Sequence, residues 1–352
     1  MTTREAAPVA LPNVNPDIWL AQVESAFGTH HLVDAIQHRK AIVFTDVAAA
    51  KQANAEVDET AAQRAVDAIR AIQEMAREGR VPSASDLPNP EDLKALEKCI
   101  RFMRPAVLVQ NDKLDAAAFL DWPADLKKAV ESLLPGVGSI AYKSPPGAWG
   151  GAPSRIGMAT CFLVADRVVA TNIHVMDQIH DAGRKVHDMV VRFDLEHNMT
   201  ERAKPIAVKG ELARHPDRTR DLVLLELAES GPMGALPLDW TSTPSETSAI
   251  VAIGHPLKDS RSPSWSQLMF ENKFGVKRVS PGIVLGTDSD MIFHDASTTG
   301  GSSGSAIVDL STQKVIAIHS SGDFALRNNA VLLSTAKNES TLRSHIPAFQ
   351  IG

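Results

Sequence analysis

Short β segments dominate the sequence after about residue 135, and they restrict the fold more than any other feature. Runs of β-branched and apolar residues recur there, separated by Gly, Pro, Asp and Ser. The clearest runs lie at 160–164, 167–171, 189–193, 222–227, 250–253, 282–285 and 315–319. Short strands at this spacing, with no long helices between them, predict an all-β barrel or sandwich.

The first 134 residues have a different pattern, which predicts a mainly α-helical region. Asn15-Pro16 and Asn89-Pro90 each place a capping residue before a proline suited to the first helical position. Apolar residues at 62, 66, 69, 72 and 75 recur every three or four positions, as on one face of a helix. We therefore predict a helical N-terminal domain over 1–134 and a β domain over 135–352.

Composition and charge exclude several functional classes. Lys and Arg number 36 against 42 Asp and Glu, so the net charge of −6 argues against a nucleic-acid-binding surface. No apolar run approaches the roughly 18 residues of a membrane span. The N-terminus shows no apolar signal segment, and two cysteines are too few for a disulfide-built secreted domain, so we expect a cytoplasmic protein. No His and Cys spacing suggests a metal site, and we expect no cofactor.

A glycine- and serine-rich turn, STTGGSSGS at 297–305, is the most informative segment for chemistry. Gly301 and Gly304 allow a tight turn that exposes the hydroxyl of Ser303 as a nucleophile. In such a turn the N–H groups of Gly301 and Ser303 can hold an oxyanion, each donor contributing about 2.7–4 kcal/mol in the transition state. Alone, this composition is more typical of a linker or hairpin loop, and Ser302 and Ser305 compete as nucleophiles.

Two upstream segments support the nucleophile interpretation. VVATNIHV at 168–175 is an apolar strand that runs into His174, and DLVLLEL at 221–227 is a strand opened by Asp221. A histidine can take the serine proton while a buried aspartate orients its imidazole and stabilises the imidazolium. The order His174, Asp221, Ser303, each at a predicted strand edge, therefore predicts a catalytic triad.

The same segments resemble the sequence blocks of trypsin-like serine peptidases. The blocks at 161–175 and 221–227 are similar to the family's histidine and aspartate blocks, and IGHPL at 253–257, VSPG at 279–282 and NAV at 329–331 resemble motifs of its second barrel. DASTTGGSSGSAI at 295–307 looks most like the V8-like glutamyl endopeptidase branch. The resemblance implies a chymotrypsin-like fold of two six-stranded β-barrels, with the triad between them, and a protein substrate.

A weaker resemblance concerns the region upstream of the barrels. IRFMRPAVLVQ at 100–110 is similar to a segment that precedes the peptidase in multidomain bacterial trypsin-like proteases. It implies an intracellular bacterial setting in which the helical domain regulates the protease or recruits a partner. An inhibitory plug and a simple packing extension remain open alternatives, as does a catalytically silent protease fold that serves as a binding or scaffolding module.

The resemblance also implies a specificity (S1) pocket, lined by Ser297, Thr298, His319 and Ser320. Ser297 stands where an aspartate gives specificity for basic residues, so cleavage after Arg or Lys is disfavoured. His319, with Thr298, could bind an acidic substrate side chain at P1, the residue before the scissile bond. A neutral, packed His319 with a small or uncharged P1 residue is the alternative.

Two departures from the digestive members of the family bear on activation. Val175 replaces the cysteine that follows their histidine, so Cys161 cannot form the disulfide that anchors the histidine loop there. Ser302 replaces the aspartate that receives a new N-terminus after their activation cleavage. We therefore expect activity without that cleavage.

Overall fold

The computed structural model describes residues 16–27, 57–78, 89–104, 106–115, 122–142, 157–199, 204–262, 269–323 and 327–346. Its helices are α1 Pro16–Phe27, α2 Glu59–Glu78, α3 Pro90–Met103, α4 Ala124–Leu133, α5 Ile173–Asp181 and α6 Ser340–Arg343. Short 3-10 helices lie at Leu134–Gly136, Val186–Asp188 and Leu333–Asn338.

Fourteen strands follow the helical start of the described chain and form the rest of the fold. They are β1 Val107–Gln110, β2 Lys113–Leu114, β3 Val137–Tyr142, β4 Gly157–Ala165, β5 Val168–Thr171, β6 Met189–Arg192, β7 Ile206–Arg214, β8 Val223–Leu227, β9 Ala249–Gly254, β10 Arg278–Thr287, β11 Met291–His294, β12 Ala306–Asp309, β13 Lys314–Asp323 and β14 Arg327–Leu332.

The strands close into two antiparallel barrels of six strands each. The first barrel has the order β3-β4-β5-β8-β7-β6. The second has the order β11-β14-β13-β12-β9-β10, and pairing of β10 with β11 closes it. The predicted chymotrypsin-like double barrel is confirmed, because each of the two six-stranded sheets closes on itself, and β1 adds to β10 of the second barrel.

The N-terminal region is helical as predicted, and its helices share a hydrophobic core that also includes Met269 and Phe270, which precede the second-barrel strand β10. Asn89 caps α3 by accepting a hydrogen bond from the N–H of Glu91, and Pro90 occupies the first turn. Cys99 is fully buried in this core, as its place on the apolar helical face predicts. Asn15 lies outside the described residues. The proposed domain boundary falls in the 3-10 turn Leu134–Gly136, although β1, which precedes it, pairs with strand β10 of the second barrel.

A buried lysine joins the two barrels. Lys277, directly before β10, donates hydrogen bonds to the carbonyls of Leu134 and Phe193 and to the carboxylate of Glu196, all within 2.9 Å. Its side chain is fully buried, and that of Glu196 is nearly so. Since a buried ammonium is tolerated only when its donors are satisfied, this network fixes the end of β6 against the start of β10.

Candidate active site

His174 lies in the first turn of a helix, which corrects the prediction of a strand end. Strand β5 stops at Thr171, Asn172 takes an extended conformation, and α5 begins at Ile173. The buried Ile173, Met176 and Ile179 recur at helical spacing, a signal that the sequence carried. The side chain of Asn172 donates to the carbonyl of Asp221 instead of capping α5, so it ties the histidine segment to the aspartate segment.

His174, Asp221 and Ser303 meet between the two barrels in one chain of hydrogen bonds. The Nδ1 of His174 lies 2.6 Å from Oδ2 of Asp221, and its Nε2 lies 2.9 Å from Oγ of Ser303. Asp221 also accepts from the backbone N–H of His174, at 2.9 Å through Oδ1. With Nδ1–H donating to the carboxylate, Nε2 is left free to accept the serine proton.

Ser320, assigned above to the S1 pocket, contacts the aspartate. Its hydroxyl donates to Oδ2 of Asp221 at 2.6 Å, and its carbonyl accepts from Oγ of Ser303 at 3.3 Å. Asp221 is only 8% exposed, and its carboxylate accepts three hydrogen bonds. They come from the backbone N–H and the Nδ1–H of His174 and from the hydroxyl of Ser320. These donors hold the carboxylate facing the imidazole. Sequence reasoning missed this contact, because position 320 is 99 residues from Asp221 in the chain.

The nucleophile turn is held to the first barrel through Thr160. The N–H of Thr160 donates to the carbonyl of Ser303 at 2.8 Å, and its hydroxyl donates to the carbonyl of Gly301 at 2.9 Å. Ser302 and Ser305 are buried, and their hydroxyls bond within the turn. Ser303 is therefore the serine of the three whose hydroxyl lies against the imidazole.

Gly301 and Gly304 both have backbone conformations that favour glycine. Their φ angles are +83° and +85°, in the left-handed region. A Cβ on Gly304 would lie 2.0 Å from the carbonyl oxygen of Thr160, so no side chain fits there. Among the described residues, no backbone carbonyl accepts from the N–H of Gly301 or Ser303, which leaves both donors available at the turn.

Two further candidate pocket residues are buried, and neither lines the cleft beside His174 and Asp221. Ser297 and Thr298 are 5% and 7% exposed. The hydroxyl of Thr298 donates to Oδ1 of Asn328 at 2.8 Å, and Nδ2 of Asn328 donates to the carbonyl of Ala296 at 2.6 Å. Asn328 was missed from the sequence, because only the pairing of β14 with β11 and β13 brings it beneath this segment.

His319 is packed against a second histidine. Its Nδ1 lies 3.3 Å from Nε2 of His294, and the two rings meet edge to face. Burial, with the charges of His294 and His174 adding to it, keeps the pKa of His319 well below its ordinary value. Burial, with a smaller contribution from Arg101, lowers the pKa of His294 to about 3. Both imidazoles are therefore neutral at neutral pH.

An open cleft of about 470 Å³ lies beside His174 and Asp221. It is lined by Ile173, His174, Asp177, Arg218, Thr219, Asp221, Met291, Ser320, Ser321 and Asn329. Its walls come from both barrels, so an extended chain lying there would contact both. Within the described parts of the chain, no three His, Cys, Asp or Glu side chains are grouped to hold a metal ion. None of the described helices is long and apolar enough to cross a membrane.

A comparison with family models finds a match within the double barrel. Residues 159–318 match the model described as a trypsin-like peptidase domain, and the match spans the histidine, aspartate and serine of the site. Over these residues, slightly less than half of the chain, the sequence is similar to trypsin-like peptidases. The V8-like character of this region stays a prediction.

Individual proteins resemble the chain over limited lengths. A protein of Lysobacter enzymogenes named as a probable serine protease is 31% identical over 124 residues, which are 30% of this chain. The match covers 32% of that relative's own length. A solved serine endoprotease from Yersinia pestis aligns with 64% of this chain and 70% of its own, with a TM-score of 0.44 and 18% identity.

Proposed function

We propose that the protein is a serine endopeptidase that cleaves peptide bonds of protein substrates through an acyl-enzyme. The observation that carries the proposal is the unbroken hydrogen-bond chain from Ser320 through Asp221 and His174 to Ser303. A serine whose hydroxyl meets a buried, carboxylate-oriented imidazole has the arrangement needed for nucleophilic acyl transfer.

In the proposed reaction, Oγ of Ser303 attacks the scissile carbonyl while Nε2 of His174 takes the hydroxyl proton. Asp221 stabilises the resulting imidazolium, and the N–H groups of Gly301 and Ser303 hold the oxyanion. The imidazolium then gives its proton to the leaving amine, and the C–N bond breaks to leave an ester on Ser303. A water molecule that gives a proton to His174 attacks that ester; the bond from the acyl carbon to Oγ of Ser303 then breaks, and the imidazolium returns the proton to Oγ as the acid product leaves.

We further propose that the P1 residue is not basic, with an acidic side chain as the favoured choice. Ser297 offers no countercharge to Lys or Arg, and Asp295 nearby is already paired with an arginine. His319, next to Ser320, would have to take up a proton to bind a carboxylate, because burial keeps its pKa well below 6.5 in the free protein. A bound carboxylate opposes that shift by stabilising the imidazolium.

The P1 proposal has a pH signature. Cleavage after Glu, relative to the matched Gln substrate, should rise as the pH falls from 8 to 6, since protonation of His319 becomes less costly. The ratio of kcat/KM values removes every pH dependence that the two substrates share. A ratio that stays near one at every pH would instead support a small or uncharged P1 residue.

A cytoplasmic, bacterial setting with a regulatory or partner-recruiting role for residues 1–134 remains part of the proposal. Cys99 and Cys161 are both buried and neither forms a disulfide, which suits a reducing compartment. Burial raises the pKa of the Cys161 thiol, so this cysteine stays protonated and unreactive. Comparing peptidase activity of the chain in reducing and oxidising buffer tests this point, and we expect no difference.

A fluorophosphonate probe tests the proposed activity directly. The wild-type chain should be labelled and should hydrolyse a protein substrate, whereas Ser303→Ala should lose labelling and turnover by roughly 10⁴–10⁶ in rate. Ser302→Ala is the matched control, because its hydroxyl bonds inside the turn and should leave labelling intact. A folded wild type that is neither labelled nor active would favour the silent scaffolding module.

A further inference from the structure

The N-terminal helices contact the peptidase domain directly in front of the candidate pocket segment. Arg104, at the C-terminal end of α3, forms an ion pair with Asp295 at 2.5 Å. Gln22 on α1 donates to the same carboxylate oxygen at 2.9 Å. Asp295 stands two positions before Ser297, so two helices from the N-terminal region converge where the proposed S1 segment begins.

This ion pair lies inside the protein. The side chains of Arg104 and Asp295 are 8% and 6% exposed. Charges so far from water persist only when their partner is present, and removing one partner leaves an uncompensated buried charge. The pair is therefore a strong and directional link between the helical region and the second barrel.

Asp295 connects Arg104 to the backbone of the second barrel. Its Oδ1 accepts from the N–H of Ile283 at 2.7 Å, and its own N–H donates to the carbonyl of Ile283 at 3.3 Å. A Cβ on Gly282 would lie 2.8 Å from Oδ1, so the carboxylate sits tightly against β10. The orientation of the Asp295 side chain thus sets the position of the backbone at the start of residues 296–298.

The nucleophile turn, by contrast, is held by bonds that do not involve the helices. Thr160 binds the carbonyls of Gly301 and Ser303, and the N–H of Gly304 donates to the carbonyl of His319 at 2.8 Å. The triad side chains come from α5, from the start of β8 and from this turn. Loss of the Arg104 contact should therefore disturb the pocket segment more than the triad.

From this asymmetry we propose that Arg104 is a positioning residue for the S1 pocket, acting through Asp295, so that the N-terminal helices form part of the substrate-binding framework. The inference rests on the proposed peptidase function and assigns the helical region a definite part in it. Arg104 touches neither the substrate nor the triad. Its contribution is to hold residues 295–298 in one conformation.

Hydrogen exchange tests this proposal without requiring activity. In Arg104→Gln, backbone amides in peptides covering 282–298 should exchange about tenfold faster than in the wild type. Arg192→Gln is the matched control, because Arg192 and Asp194 form an equally buried ion pair in the first barrel, 5% and 6% exposed. That variant should leave exchange at 282–298 unchanged. The full chain is used throughout.

Kinetics supply the second readout. Arg104→Gln should raise KM for a peptide substrate about tenfold, with kcat and fluorophosphonate labelling of Ser303 within about threefold of wild type. Arg104→Lys keeps the charge and should recover most of the loss. Gln22→Ala removes only the weaker contact to Asp295, so it should fold normally and show the same changes at smaller amplitude.

The outcomes separate the two proposals. Equal exchange at 282–298 in Arg104→Gln and Arg192→Gln would overturn the positioning role, as would a uniform fall in kcat and labelling. If Arg104→Gln does not fold, Gln22→Ala decides: a selective rise in exchange supports the proposal and no rise overturns it. A wild type that neither cleaves nor labels refutes the peptidase function, while exchange still tests whether Arg104 orders the segment.

Discussion

Replacing Gly301 by alanine probes the oxyanion donors with the smallest chemical change. Gly301 has φ +83°, where an L side chain costs about 1–2 kcal/mol. The added Cβ would also lie 2.5 Å from Cγ of Leu257 and 2.8 Å from the carbonyl oxygen of His255. The backbone oxygen cannot move out of the way as a flexible side chain could, so Gly301 itself has to shift.

A shift of Gly301 turns its N–H away from the oxyanion position. Loss of one such donor costs about 2.7–4 kcal/mol in the transition state, a fall of roughly 10²–10³ in kcat. KM should change little, because the donor acts mainly on the charge that develops during reaction. The free energy of unfolding should fall as well, by about 1–2 kcal/mol from the φ penalty, with a further contribution from the clash.

Gly183→Ala separates these effects. Gly183 also has positive φ, +68°, and follows the C-terminal end of α5, but a Cβ there would meet no atom within 4 Å. We expect Gly183→Ala to lose about 1–2 kcal/mol of stability, the same φ penalty, with unchanged kcat. Urea unfolding and steady-state hydrolysis of one peptide substrate measure both quantities. If kcat of Gly301→Ala stays within threefold of that of Gly183→Ala, the oxyanion assignment is wrong.

Three further changes test contacts elsewhere in the site and the core. Ser320→Ala removes one of three donors to Asp221, so kcat/KM should fall about tenfold with an unchanged circular dichroism spectrum; an unchanged rate would contradict the orienting role. His294 has a pKa of about 3 in the folded chain and of 6.5 in the unfolded chain. Because the unfolded chain then binds a proton that the folded chain does not, the free energy of unfolding should be highest above pH 6.5 and should decline as the pH falls toward 3. His294→Gln should remove about 2 kcal/mol of the loss in unfolding free energy between pH 7 and 5, and an unaltered pH dependence would show that His294 is protonated when folded. Lys277→Met leaves the buried Glu196 unpaired and should cost about 3–5 kcal/mol in urea unfolding, with part of the loss restored by adding Glu196→Gln.

The double barrel was predictable because its local signals agree with the final fold. Apolar and β-branched runs marked seven strands, and the Asn89-Pro90 pair marked the start of α3 within one residue. Helix α5 was missed because its first residues continue an apolar strand pattern, which hid the helical spacing of Ile173, Met176 and Ile179. The hydrogen bond from Asn172 to Asp221, at the break between strand and helix, cannot be inferred from periodicity.

The site was predictable in its residue types but not in its supporting contacts. Ser303, His174 and Asp221 each lie in a short sequence segment that by itself indicates a catalytic role. The local sequence around Thr160, Asn328 and Arg104 does not indicate a role, since Thr, Asn and Arg are common surface or turn residues in any sequence. Their importance comes from the atoms that face them after folding.

The sequence by itself determined the turn that exposes Ser303, because two glycines beside a serine permit the left-handed backbone that this turn requires. It also determined the strand and helix pattern, through the side-chain periodicity of neighbouring residues. Only the tertiary structure decided that His174, 129 residues earlier, lies 2.9 Å from Ser303, and that Arg104 reaches Asp295 across 191 residues. Those distances follow from barrel closure and strand register, which are cooperative properties of the whole chain.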